Sequence, residues 1–364
     1  MFAHINRGII CKTMSGIGSV AARILSQKHQ FWCRTILILS LNGAFPAHAE
    51  NIPDLQALIH QFGIQYQRLA GLEQNKTLFF NVAENHEKEL AAGVVIYMVV
   101  TPDKVIEFIK NNGMASVEDE VTVQDFIPLN ATLESFNRFN FEEGGSREAA
   151  NFLAAKPGNQ FNLSTQELQT VQSINPINTS PIPLASQIYR KILWQRWRDY
   201  RKKGLKGIAA YDRGTGKTAD PAGELLVATL NNKVLSNYFP GLYKVWLNYP
   251  AALPTDVNEH FFLINRQVEG RSTIDLVHRV ILAADTGGIV LSRQFYVGHS
   301  YNSNQLILVC LPFRDGSLVF YVNQTFTDQI TGFGSSIKRP IGREQMRRRM
   351  DSHLKNLSNA LAGH

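Results

Sequence analysis

His260-Phe-Phe-Leu-Ile-Asn-Arg-Gln-Val268, a turn at Glu269-Gly270-Arg271, and then Thr273-Ile-Asp-Leu-Val-His-Arg-Val-Ile-Leu282 set the architecture of this chain. Both runs are rich in β-branched and aromatic residues, as strands require. Beyond the turn Asp285-Thr-Gly-Gly288, a third strand is expected over Ile289 to Tyr301 and a fourth over Gln305 to Pro312. The hairpin signal Asp315-Gly316 leads into a fifth strand, Leu318 to Phe326. Sequential strands joined by short turns make an antiparallel meander. A basic helix over Arg343 to Leu361 follows, with Met346, Met350, His353, Leu354, Leu357 and Leu361 near its apolar face. The expected class is therefore α+β: a meander of five or more strands packed on helices, with a long C-terminal helix.

Working outward, Pro53 to Leu72 reads as a helix and Thr77 to Val82 as a strand. Ala92 to Val100 is apolar throughout and reads as a strand buried on both faces. Thr101-Pro102-Asp103 opens a helix that Asn111-Asn112-Gly113 stops. Signals weaken from Met114 to Pro183, apart from a helix entered through a capping box, Ser164 with Glu167. Asn175 to Pro183 resembles an extended linker. Ala185 to Leu205 is then a helix with Ile188, Tyr189, Ile192, Leu193, Trp197 and Tyr200 on one face and Arg190, Lys191, Arg196, Arg198, Arg201, Lys202 and Lys203 on the other. A helix capped by Asp220 and a shorter one over Gly241 to Asn248 complete this region.

The first 49 residues carry five basic side chains and no acidic one, then an apolar run Thr35 to Phe45 and the small-residue site Ala47-His48-Ala49. That is the pattern of a cleaved secretory leader, so periplasmic or secreted localisation is expected, with cleavage before Glu50 and no transmembrane span afterwards. Three segments result: 1–49, an acidic 50–184, and a basic 185–364 that shares a domain with it or stands apart. Of three cysteines, Cys310 alone follows the leader, so no intramolecular disulfide is expected; it reads as a buried hydrophobe.

The chain's net charge of +7 falls to +2 once the leader is removed, which gives no bulk case for nucleic acid. The distribution is uneven: residues 50–150 hold 7 basic and 16 acidic side chains, and 151–364 hold 25 and 14. An acidic envelope partner on the basic helix 190–206, or an anionic small molecule or lipid, suits that asymmetry. Asp212-Arg-Gly-Thr-Gly-Lys-Thr218 resembles the end of a phosphate loop, but Tyr211 stands where the first glycine is needed. No cofactor is implied.

Period-2 alternation supplies the candidate site. His278 on the second strand, Arg293, His299 and Tyr301 on the third, and Gln324 and Asp328 on the fifth share phases that are otherwise apolar. If those faces meet, the six residues converge on one apolar pocket with a few placed polar groups, which is what a ligand site requires. The competing structural reading is a satisfied core histidine and an internal ion pair. An enzyme in the same pocket would use His278 or His299 as acid or base and Asp328 as orienter. Gly298-His-Ser-Tyr-Asn302 is similar to a nucleophile elbow with Ser300 as nucleophile, but lacks the last glycine. His260, His278 and His299 have no short ligand spacing, so no metal is expected.

The strand and helix over Val94 to Ile109, the meander His260 to Phe326 and the long C-terminal helix resemble, in element order, the START-like helix-grip superfamily. There a curved antiparallel sheet wraps a C-terminal helix around an apolar cavity. The resemblance implies binding or transfer of a lipid, sterol or other apolar molecule, with some members being enzymes. It covers about half the chain after the leader, and the helical region between Met114 and Ala252 departs from it. No family site residue carries over. The function expected is an exported protein that holds an apolar or amphipathic ligand between sheet and helix, with Arg293 and His299 orienting the polar end; an envelope hydrolase and a non-catalytic interaction module are the alternatives.

Overall fold

The computed structural model of the protein describes residues 52–141, 145–173, 180–284 and 286–363. The expected leader and its cleavage point, most of the expected linker and Asp285 of one turn lie outside the described residues. The chain opens with α1 (Leu55–Gln61) and α2 (Tyr66–Ala70), separated at Gly63, whose φ of 64° ends the single helix that the apolar spacing suggests. β1 (Thr77–Phe80) and β2 (Glu89–Met98) follow, and every residue of β2 is buried. α3 (Pro102–Asn112) starts on its proline and ends at Gly113, φ 74°. β3 (Val121–Ile127) is absent from the sequence reading because Thr122, Gln124 and Asp125 break its apolar pattern, as an edge strand tolerates.

Next come α4 (Gly145–Leu153), α5 (Thr165–Gln172) with both bonds of the Ser164–Glu167 capping box, and α6 (Pro181–Lys203). α6 begins inside the stretch that reads as linker: Pro181 and Pro183 occupy its first turn, where the N–H they lack has no helical partner. β4 (Tyr211–Gly214) and β5 (Lys217–Ala219) form a hairpin. The phosphate-loop-like residues are its facing strand ends and the Thr215-Gly216 turn between them, and α7 (Pro221–Leu230) starts after the strand rather than at the glycines. α8 (Lys233–Tyr238) and α9 (Pro240–Leu247) lead to the meander of β6 (Val257–Val268), β7 (Arg271–Ala284), β8 (Gly287–Val297), β9 (Ser303–Phe313) and β10 (Gly316–Phe326). α10 (Ser335–Ala362) starts earlier than its apolar periodicity indicates and carries Pro340 inside it.

Eight strands form one antiparallel sheet in the order β1-β2-β10-β9-β8-β7-β6-β3. Both the acidic and the basic segment contribute strands to it. The sheet is covered on both faces, which is why β2 and β9 are apolar at successive positions rather than alternate ones. One face packs on α1, α8, α9, α6, α4 and α5, through Leu58, Trp246, Trp197 and Phe152. The opposite face packs on α3 and α10, through Ile106, Ile109, Met350, Leu354 and Leu357. Cys310 lies in that second core, and burial pushes its thiol up to about 12. Among the described residues no helix is long and apolar enough to cross a membrane.

Candidate ligand-binding cavity

The second core does not close along the whole of α10. Towards the β3 end of the sheet, α10 and the sheet stand apart around a cavity of 620 Å³, within the range of about 300–1,000 Å³ typical of small-molecule sites. Its position follows from side-chain chemistry along β9 and β10. The positions facing α10 run Leu308 and Leu306 to Asn304 on β9, and Val319 and Tyr321 to Asn323 and Thr325 on β10. Where those positions are aliphatic they pack on the helix; where they turn polar, the space opens.

The floor is thus a hydrogen-bonded set of amides and hydroxyls. Asn304 Nδ2 donates to Thr325 Oγ1 at 2.8 Å and also bonds Asn323. The Tyr301 hydroxyl donates to Gln294 Oε1 at 2.8 Å and lies 3.3 Å from Asp275 Oδ2. Met346, Met350, Leu90, Leu306 and Ile330 supply apolar wall, and the exposed Lys338, Ile341, Gln345 and Arg349 of α10 mark the mouth. A cleft of the same volume near Thr101, Lys104 and Phe108 is lined largely by exposed side chains and holds no comparable buried polar floor.

One wall is ionic. Arg266 Nη1 lies 2.6 Å from Glu118 and its Nε 2.7 Å from the buried Asp275. Burial pushes the Asp275 carboxyl up to about 7 against the pull of Arg266. Glu120 behaves oppositely: burial would raise it, but the hydrogen bond and charge of His353 and the charge of Arg266 outweigh burial and hold it down at about 2. Glu118, Glu120 and His353 place potential ligand atoms within 4.8 Å of one another. Arg266 already neutralises Glu118 there, so the cluster is complete as an ion-pair network, and a divalent cation would meet that guanidinium.

The six residues singled out by alternation do not converge. His278 and Arg293 are brought together as cross-strand partners, but in the solid core on the other face. Both reach the Tyr200 hydroxyl, His278 through Nδ1 at 2.8 Å and Arg293 through Nη1 at 3.3 Å. Arg293 also donates to the Trp246 carbonyl at 3.2 Å and its guanidinium sits 3.9 Å from the Trp246 ring centroid. His278 Nε2 is 3.2 Å from Glu259. Burial pulls His278 down to about 4 despite that carboxylate, so the ring is neutral near pH 7. His299 is enclosed near Thr273 and Ser272; Gln324 donates to Glu89 at 2.7 Å; Asp328 pairs with Lys88 and Arg213 at 2.7 and 2.8 Å. Tyr301 alone of the six lines the cavity.

There are two physical reasons: His299, Tyr301 and Asp328 lie beyond the ends of β8 and β10, where alternation no longer operates, and β8 carries a β-bulge. Leu276 pairs with Tyr296 but Val277 pairs with Gln294, leaving Phe295 as an extra residue on β8. Alternation inverts there and the strand ends at Val297, so Tyr301, eight positions beyond Arg293, faces the cavity rather than the core that holds Arg293. Sequence reasoning missed Asn304, Asn323, Thr325 and Gln294; the available signal was the polar drift of the opposite phase at the adjoining ends of β9 and β10. The basic face of α6 also needs correcting: Arg196 is buried, paired with Glu167 and stacked over Tyr296, whereas Lys191, Arg198, Lys202 and Lys203 are exposed.

Ser300 has the left-handed φ of 71° and lines the cavity, and its Oγ lies 2.7 Å from His299 Nδ1. A nucleophile–base pair needs an imidazolium that the site can bear. Burial and the nearby Arg271 instead pull His299 down to about 4. The partners of its other nitrogen among the described residues are the Thr273 hydroxyl and the Ser272 carbonyl, not a carboxylate. Asp328, the expected orienter, is engaged by Lys88 and Arg213. Comparison with protein-family models, curated proteins and solved structures found no match.

Proposed function

We propose that the protein, once exported, binds an amphipathic small molecule or lipid in the cavity under α10. The observation that carries this is the lining itself: thioether and aliphatic side chains on the helix side face a floor of amides and hydroxyls whose partners come from three adjacent strands. An apolar body would lie against Met346, Met350 and Leu306, and a polar end would compete for Tyr301, Asn304 and Thr325. The polar contacts are thus Tyr301, Asn304 and Thr325 rather than Arg293 and His299, which lie outside the cavity. The helix-grip resemblance supports it, since the cavity lies between the sheet and the C-terminal helix.

Native mass spectrometry of the purified protein, followed by denaturing extraction and lipid analysis, tests the proposal. A co-purifying amphipathic molecule at one per chain is expected. Tyr301→Phe keeps the ring but removes one hydrogen bond, worth about 0.5–1.5 kcal/mol, so affinity for that molecule should fall about tenfold or less. An apo mass with nothing extractable, together with no binding of a fluorescent fatty acid, would sink the reading.

A further inference from the structure

The first turns of α10 carry a surface that the fold leaves bare. Phe333, Ile337 and Ile341 are 102%, 67% and 53% exposed. They are spaced four residues apart, so they form one stripe along the helix and its entry. Gly332 and Gly334, at φ 69° and 78°, flank Phe333 and turn the chain so that the ring projects outward. Aligned apolar side chains of this size on a surface mark a contact site rather than ordinary exposure.

The surroundings say what kind of contact. Residues 332–349 contain six basic side chains and one acidic one. Arg339 and Arg343 are engaged by Glu84, whereas Lys338, Arg348 and Arg349 are exposed beside the stripe, Arg348 pairing only with the exposed Glu344 of its own helix at 3.2 Å. An apolar ridge edged by cations is the pattern of a segment lying in the headgroup–acyl boundary of an anionic membrane. Lys338, Ile341 and Arg349 also border the cavity, so such docking would bring the cavity mouth onto the lipid.

We propose that Phe333, Ile337 and Ile341 insert into the surface of an anionic phospholipid bilayer while Lys338, Arg348 and Arg349 pair with lipid phosphates. The docking surface rests on the cavity reading for its purpose, namely loading and release of the amphipathic ligand, and not for its existence. A partner protein would need a pocket shaped to a phenyl ring that projects from a chain bend; a fluid bilayer needs none.

Co-sedimentation of the full chain with phosphatidylcholine vesicles, with and without phosphatidylglycerol, tests this at low and high salt. The protein should sediment with the anionic vesicles and be released by salt. Phe333→Ser/Ile337→Ser removes two anchors that do not line the cavity, and should weaken vesicle binding by about tenfold or more while leaving a fluorescent fatty acid bound in the cavity. Arg348→Glu should reduce the preference for anionic vesicles. Absence of sedimentation, or equal sedimentation by the double variant, overturns the docking surface, as does self-association through the stripe in place of vesicle binding. Vesicle binding without any fatty acid in the cavity leaves docking standing and removes the cavity reading; fatty acid in the cavity without vesicle binding does the reverse.

Discussion

Arg293 shows how a residue that looks like a ligand anchor serves as core. Its guanidinium is fully buried and its bonds go to neutral acceptors on three helical segments: the Tyr200 and Thr229 hydroxyls and the Trp246 carbonyl. Burial lowers its pKa, while the Trp246 ring face and these dipoles favour the charged form. It therefore ties α6, α7 and α9 to β8. Arg293→Ala leaves a void and an unpaired carbonyl, and should cost roughly 3 kcal/mol or more of stability in urea unfolding. Ligand occupancy in the surviving folded fraction should be unchanged. Selective loss of ligand with intact stability would instead return Arg293 to the binding site.

At the scale of elements, the cavity depends on how α10 is held open from the sheet at one end and closed on it at the other. Met350, Leu354 and Leu357 close the C-terminal half by burial. The N-terminal half is attached by charge: Arg339 and Arg343 both reach Glu84, at 3.0 and 2.8 Å, and Arg339 also bonds the Glu89 carbonyl. Glu84→Gln should therefore lower global stability by only about 1 kcal/mol, since these arginines are partly exposed. It should speed hydrogen exchange selectively in the first turns of α10, which mass spectrometry resolves; uniform or absent change would show that α10 is held by packing alone. The elements themselves were largely legible. Caps at Ser164 and Asp220, Gly113 as a stop, and the Asp315-Gly316 hairpin all act through local chemistry that one chain segment contains. What was not legible is non-local. The bulge at Phe295 exists because β7 and β8 pair with a register shift, and no residue within β8 announces it. The same inversion hid the site, since unbroken alternation assigns Arg293 and Tyr301 to one face.

For the molecule as a whole, buried titratable groups of opposite sign set how stability responds to pH. His278 and His299 are both held down at about 4, mainly by burial, from an ordinary value of 6.5. The unfolded chain binds their protons first, so they withdraw stability as pH falls from about 6.5 to 4. Asp275, buried behind Arg266 of the cavity wall, and Glu224, whose oxygens accept from Asn302 and Ser303, are pushed by burial up to about 7 from 3.8 and 4.5. There the folded state keeps the proton longer, so their stability contribution is greatest below about 4 and is lost as pH rises towards 7. The two pairs act in opposite directions across the same window. Asp275→Asn/Glu224→Gln fixes the neutral form and removes the loss on the alkaline side. Relative to the unmodified protein, the variant's melting temperature should therefore rise progressively between pH 4 and pH 7, whatever constant offset the altered contact with Arg266 introduces. Thermal melts across that range decide it: a pH-independent difference would mean that both carboxyls are ionised in the fold at ordinary values, with Arg266 outweighing burial at Asp275.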